Sequence, residues 1–358
     1  MFPRLFILGL VCATSAYASS ICACTIPVFR YALDRWEADK FSLILPASAA
    51  QDTALNDLLR PLRANGKANL EITTSKDASI TTAELHDSRH SDRPVWSGNL
   101  NAETLPTLLD SPARQKILEH ILAGDSVIWV IAEGGTEADK IEAERIEKRL
   151  RFLEQVAALP VQNPNDPDSQ LGPGPPLLLK FTTLRLRRDD PTEQPLIHML
   201  AGPQGKVDPT TTSFAAAIFA RGRVLGAWPL TDLDDASLED ACMFLVGRCS
   251  CRLKNENPGW DILMNVDWEK TLAEVKATLI SATALAEPIV KQPVPALAPI
   301  TVTTLAPPVA PGGGSPDINT WIGLPQDDTY LFGLNWPYLA GIGAIVLALL
   351  AILLLWKK

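Results

Sequence analysis

The stretch Tyr338 to Trp356, YLAGIGAIVLALLAILLLW, holds nineteen residues without a charge and stands directly before Lys357-Lys358. As a helix it rises roughly 28 Å at about 1.5 Å per residue, close to the hydrocarbon thickness of a bilayer. Trp336 and Tyr338 on one side and Trp356 on the other fall where an aromatic belt forms, and the two lysines favour a cytoplasmic tail. The expectation is a transmembrane helix over 338–356 that anchors everything before it.

The opposite end is read as a secretory signal peptide over 1–18. Arg4 gives a positive start, Leu5 to Ala13 is an apolar run too short to span a bilayer, and Ala16-Tyr17-Ala18 offers a small-residue cleavage site before Ser19. Together the ends imply a single-pass protein of the cell membrane, its bulk extracytoplasmic (periplasmic) and its C-terminus cytoplasmic. Its expected partners are the membrane, through the C-terminal helix, and another envelope protein. The formal net charge of −9, with no basic patch interleaved with aromatics, argues against nucleic acid.

From about Ser281 to Pro316 the composition turns to Pro, Ala, Thr and Val, with only Glu287 and Lys291 charged. Such a segment cannot bury a core. It reads as a semi-rigid spacer of about 3.1 Å per residue with a Gly-Gly-Gly-Ser joint, and the whole linker is expected over 271–335.

Helix and strand patterns alternate before the linker. Phe29, Ala32, Leu33 and Trp36 share one helix face, FSLIL (41–45) reads as a buried strand, and Leu55, Leu58, Leu59 and Leu62 form a second helical stripe that Pro61 should interrupt. NLEIT (69–73) is a short strand, a polar loop follows, and Thr104 to Ala123 reads as one helix with Gly124 as its C-cap. SVIWVIA (126–132) is a buried strand, Glu137 to Val156 a charged helix, 162–176 a Pro/Gly loop and 177–187 a strand. A short helix over 195–201 precedes two apolar runs joined at Arg221-Gly222-Arg223, a hairpin signal, and Asp234 or Asp235 can cap a last helix over 236–247.

The order β-α-β-α-β-β-α over roughly 126–247 resembles the thioredoxin fold, and 24–124 looks like a second, less complete copy. The expected fold is α/β: a first thioredoxin-like unit over 22–125 and a second over 126–270. PVFRYALDRW near the start and CSC…NPG near the end also resemble a group of uncharacterised exported bacterial proteins, which implies no activity. The thioredoxin resemblance implies Cys-x-x-Cys after the first strand and a proline before the third. Here EGGTEADK (133–140) and Ser213 stand in those places, which implies a redox-silent second unit.

The chemistry candidates are therefore cysteines elsewhere. Cys242 lies among Ala241, Phe244 and Leu245 and is expected to be a buried free thiol. Cys22/Cys24 and Cys249/Cys251 form two Cys-x-Cys pairs at opposite ends of the folded region. Outside the cytoplasm they suit disulfides that tie the ends together. Cys24, at the start of a helix, is also a candidate reactive thiol. Four thiolates would suit zinc or copper, although this spacing is tighter than usual. Lipidation of Cys24 is the fourth reading.

His86 and His90 form the only histidine cluster, and their surroundings read as a loop. AGPQGKV (201–207) lacks the glycine spacing of a phosphate loop, and no His-Glu-x-x-His or Gly-x-Ser-x-Gly motif occurs. The function expected is binding or scaffolding at the envelope, as an accessory subunit of a membrane complex. The alternatives are a tethered thiol-disulfide oxidoreductase using Cys24 and a copper- or zinc-handling protein. No catalytic residue and no cofactor is assigned.

Overall fold

The computed structural model describes residues 25–87, 93–163, 165–249, 253–285, 330–331 and 334–335. The expected signal peptide, the transmembrane span over 338–356 and most of the spacer lie outside these residues. No described helix is long and apolar enough to cross a membrane. The chain divides into two compact units, Met1–Thr304 and Leu305–Lys358. Within the latter, Tyr330–Leu331 pairs antiparallel with Leu334–Asn335.

The first unit is mixed α/β with two sheets. In chain order it runs α1 (Val28–Arg35), β1 (Phe41–Leu45), α2 (Thr53–Asn65), β2 (Leu70–Thr74), β3 (Ala83–Asp87), β4 (Trp96–Gly98), α3 (Thr104–Leu109) and α4 (Pro112–Ala123). Then follow β5 (Val127–Glu133), α5 (Glu137–Val156), β6 (Phe181–Arg187), α6 (Gln194–Ala201), β7 (Phe214–Phe219), β8 (Arg223–Pro229), α7 (Asp235–Val246), β9 (Trp260–Asp261) and α8 (Trp268–Leu285).

The two sheets share a strand order. The first is β2-β1-β3-β4 and the second β6-β5-β7-β8-β9. In each, the leading pair is parallel, joined across a helix, and the next strand enters antiparallel on the other side of the leading strand. β5 is buried along all seven residues, as a central strand covered on both faces must be. Ala143, Ile146, Leu150 and Leu153 of α5 are buried at helical spacing, while the Glu and Arg positions between them stay wet.

Several expectations change. The helix expected over 104–123 is two, because Ser111 caps a new start with Pro112 at its first position, where a missing N–H is harmless. The polar stretch after β2 contains β3 and β4, so His86 lies on a strand, its Nε2 2.9 Å from Glu84 Oε2. The first sheet has its leading strand; what it lacks is a helix between β2 and β3. The strand expected over 177–187 begins at Phe181, because β5 offers partners only from Val127 onward. α2 runs through Pro61 and stops at Gly66, whose φ of +52° suits a residue without Cβ. α8 occupies 268–285, where the linker was expected from 271; Trp268 and Leu272 bury its first turns.

The first helix, expected within the first unit, is placed beside the second sheet. α1 packs on α7 and β7 of the second sheet rather than on the strands that follow it. Arg30 and Asp34 form a buried ion pair there, Nε to Oδ1 at 2.9 Å. Asp34 Oδ2 accepts from Gly172 N–H at 2.8 Å, and Arg30 donates to the carbonyls of Gly172 (2.8 Å) and Pro175. The pair pins the proline-rich loop before β6 onto α1.

The sheets are joined by the segment after β9. Asn69 Nδ2 donates to Ile262 O at 3.1 Å, and its Oδ1 accepts from Met264 N–H at 2.7 Å. Nearby, Arg223 meets Asp261 at 3.1 Å with both side chains buried, and donates to the carbonyls of Asn257, Pro258 and Gly259. Lys254 Nζ bridges Asp261 Oδ2 (2.5 Å) and Asp39 Oδ1 (2.8 Å). Charges as deep as Arg223 and Asp261 persist only when their hydrogen bonds are met, and these two meet theirs.

Candidate functional site

Of the cysteines singled out, Cys22, Cys24 and Cys251 lie outside the described residues. Cys249 is buried, and its backbone N–H donates to Ile26 O at 3.0 Å, while Val28 N–H donates to Gly247 O at 3.0 Å. Pro27 and Arg248 thus sit opposite each other in an antiparallel bridge. The segments that carry the two Cys-x-Cys pairs are paired through their backbones. Cys242 lies on α7 and is fully buried. Burial pushes its thiol up to about 12, against the opposing effect of the Trp129 indole.

The turn after β5 holds no sulfur. Gly134 N–H donates to Asp139 Oδ2 at 2.9 Å and to Ser213 Oγ at 3.0 Å. Thr136 Oγ1 accepts from Asp139 N–H at 3.1 Å, and Asp139 Oδ2 accepts from Thr136 N–H at 3.3 Å, a reciprocal capping box. Burial alone would raise the Asp139 carboxyl, but hydrogen bonds with Thr136, Ser213 and Gly134 hold it below the ordinary carboxylate value. The Gly134 and Thr136 amides just before α5 are therefore met by the chain's own carboxylate, and the Asp139 amide by the Thr136 hydroxyl. Beside the turn, Arg185 grips Glu133 through two parallel hydrogen bonds of 2.5 and 2.7 Å.

A cavity of about 600 Å³ opens between the end of the first sheet and the loop after α6. Its lining includes Asp87 of β3, Arg93 and Val95 together with His198 of α6, Gly202 to Gly205 and Val207 to Thr210. Gly202 has φ +79°, and a Cβ there would meet the Trp260 ring at 2.3 Å. Trp260 is in turn fixed by its Nε1 donating to Met199 O at 2.7 Å. Asp208 Oδ1 accepts from Thr210 Oγ1 (2.6 Å) and N–H (2.9 Å), and Oδ2 from Thr211 Oγ1 (2.9 Å), which holds its carboxyl below the usual value. Burial lowers the His198 imidazole, with the Asp208 charge opposing. Neither Arg93 nor His198 makes a hydrogen bond among the described residues.

Sequence reasoning missed this cleft. Its polar groups lie about a hundred positions apart along the chain and form no local motif. AGPQGKV, set aside as a phosphate loop, is part of its wall. Among the described residues no three His, Cys, Asp or Glu side chains gather as a metal site requires. Of the four thiols considered for zinc or copper, only Cys249 is described.

Comparison with known proteins finds no matching family model, no matching curated protein and no matching solved structure.

Proposed function

We propose that this chain is a membrane-tethered, extracytoplasmic binding or scaffolding protein built on two thioredoxin-like units that carry no thiol chemistry, serving as an accessory subunit of an envelope complex. The strand order shared by the two sheets supports the tandem reading. The observation that carries the functional reading is the turn at 134–136. There a carboxylate and a serine hydroxyl meet the Gly134 amide, where thiol exchange needs a thiolate at the helix N-terminus.

On this reading the Cys22/Cys24 and Cys249/Cys251 pairs are a covalent clasp between the ends of the folded region. The backbone pairing of Ile26 with Cys249 and of Val28 with Gly247 supports it. The tether rests on the apolar run 338–356 and the signal on 1–18.

The test uses the full-length protein in membranes. Primed with dithiothreitol, it should reduce insulin no faster than dithiothreitol alone, and external protease should degrade the folded region while sparing the C-terminal tail. Insulin reduction above that background, lost on Cys24→Ser, would replace the binding reading with the oxidoreductase.

A further inference from the structure

The cleft between β3 and the loop after α6 carries both signs of charge. Asp87 and Asp208 contribute carboxyl groups and Arg93 a guanidinium, and Pro94, Val95, Ala201, Pro203 and Val207 add apolar lining beside them. Its volume of about 600 Å³ falls within the range of small-molecule sites. We propose that this cleft binds a free α-amino acid with an apolar side chain, its carboxylate on Arg93 and its ammonium on the Asp208 side.

The charge pattern selects this class over simpler ligands. An anion alone would satisfy Arg93 but face the Asp208 carboxylate, and a cation alone would leave Arg93 facing a like charge. A zwitterion meets both. Arg93 is exposed and makes no hydrogen bond among the described residues, so its five donors are open to a carboxylate in the forked geometry that suits one. Asp208 has accepted three hydrogen bonds within its own turn, and a carboxylate offers about four lone-pair sites, so capacity for an ammonium donor remains. His198, half-buried and without a hydrogen bond, presents an imidazole that can donate at one nitrogen and accept at the other. Gly202 in the wall packs directly against the buried Trp260 ring, which occupies the space its side chain would need. This inference stands apart from the tether and from the thiol question.

The test titrates the full-length protein in detergent micelles with L-leucine, N-acetyl-L-leucine and L-leucinamide. Heat is followed by calorimetry, and the His198 ring proton by NMR. L-leucine should bind saturably and shift the His198 resonance, and each blocked analogue should bind at least about tenfold more weakly, since each loses one charge-assisted contact. Arg93→Gln breaks no hydrogen bond among the described residues, so it should fold like the parent by circular dichroism. It should bind L-leucine and L-leucinamide equally weakly. Three results overturn the proposal: no saturable binding of L-leucine up to about 10 mM, N-acetyl-L-leucine binding as tightly as L-leucine, or Arg93→Gln leaving the leucine affinity unchanged.

Discussion

The backbone N–H of Cys249 donates to the carbonyl of Ile26 over 3.0 Å, so the start of the described chain is hydrogen-bonded to the residues that follow the last helix of the second sheet. We propose that this pairing brings the flanking Cys-x-Cys segments within reach of a disulfide. Peptide mapping without reductant should find a peptide holding Cys22 and Cys24 linked to one holding Cys249 and Cys251. Reduction should lower stability by about 2–5 kcal/mol, because the loop it releases exceeds 200 residues. Alkylation of all four thiols in the unreduced protein would sink the clasp.

Asp34→Asn should be among the most damaging single changes in the first helix. It removes the charge facing Arg30, whose side chain is only 2% exposed. Stranding a buried guanidinium typically costs about 3–5 kcal/mol, here moderated by the carbonyls of Gly172 and Pro175. Replacing both members with Met and Leu should recover most of that loss. Urea unfolding of the three proteins checks both statements.

Cys242 should resist Ellman's reagent at pH 8.5 in the folded protein and react at once in denaturant. Its thiol, near 12 when folded, ionises near its ordinary value of 9.0 when unfolded. The unfolded state therefore loses its proton first as pH rises. Stability is full below about pH 9 and declines between 9 and 12. Cys242→Ala should lower stability at neutral pH but flatten that alkaline decline, as thermal melts across the pH range would show.

His198 has the opposite sign. Burial holds its folded-state pKa below the ordinary 6.5, so the unfolded chain takes up the proton first as pH falls. Stability from this residue is complete above 6.5 and diminishes as pH drops through that value toward the folded pKa. His198→Gln should make the melting temperature less sensitive to pH between about 5 and 7. An unchanged slope would show that other groups govern the acid limb.

Gly202→Ala combines a left-handed backbone at φ +79° with a Cβ placed 2.3 Å from the Trp260 ring. It should destabilise by roughly 1–3 kcal/mol and reshape the cleft, since Trp260 cannot yield without losing its bond to Met199 O. Denaturant midpoints measure the first effect and tryptophan fluorescence the second.

Where each element's pattern was local, the sequence was readable. SVIWVIA is buried over its whole length, the run 214–229 turns at Ala220 to Gly222, and Gly124 and Asp234 cap the helices they should. β3 and β4 escaped because one mixes Glu, His and Asp into five residues and the other is three residues long. Their strand character comes from pairing, β3 with β1 and β4 with β3, not from composition. α1 escaped its proper placement for a related reason: amphipathic spacing says that a face is buried, not against which sheet. The cleft was the least legible, since Arg93, His198 and Asp208 converge only after both sheets have formed. The buried hubs at Arg30 and Arg223 were equally hidden, their partners being carbonyls of distant loops.

The docking of α1 on the second sheet has a consequence in time. Arg221, 188 residues downstream, donates to the Leu33 carbonyl at 2.9 Å. At about 5–20 residues per second, ribosomes need roughly 10–40 s to synthesise that interval. During it the apolar face of α1, with Val28, Phe29, Ala32 and Leu33, lacks the α7 and β7 surfaces it packs on. The earliest of the described helices is thus the one that must be sheltered longest, and a chain halted before β7 would carry an adhesive apolar face that the completed second sheet covers.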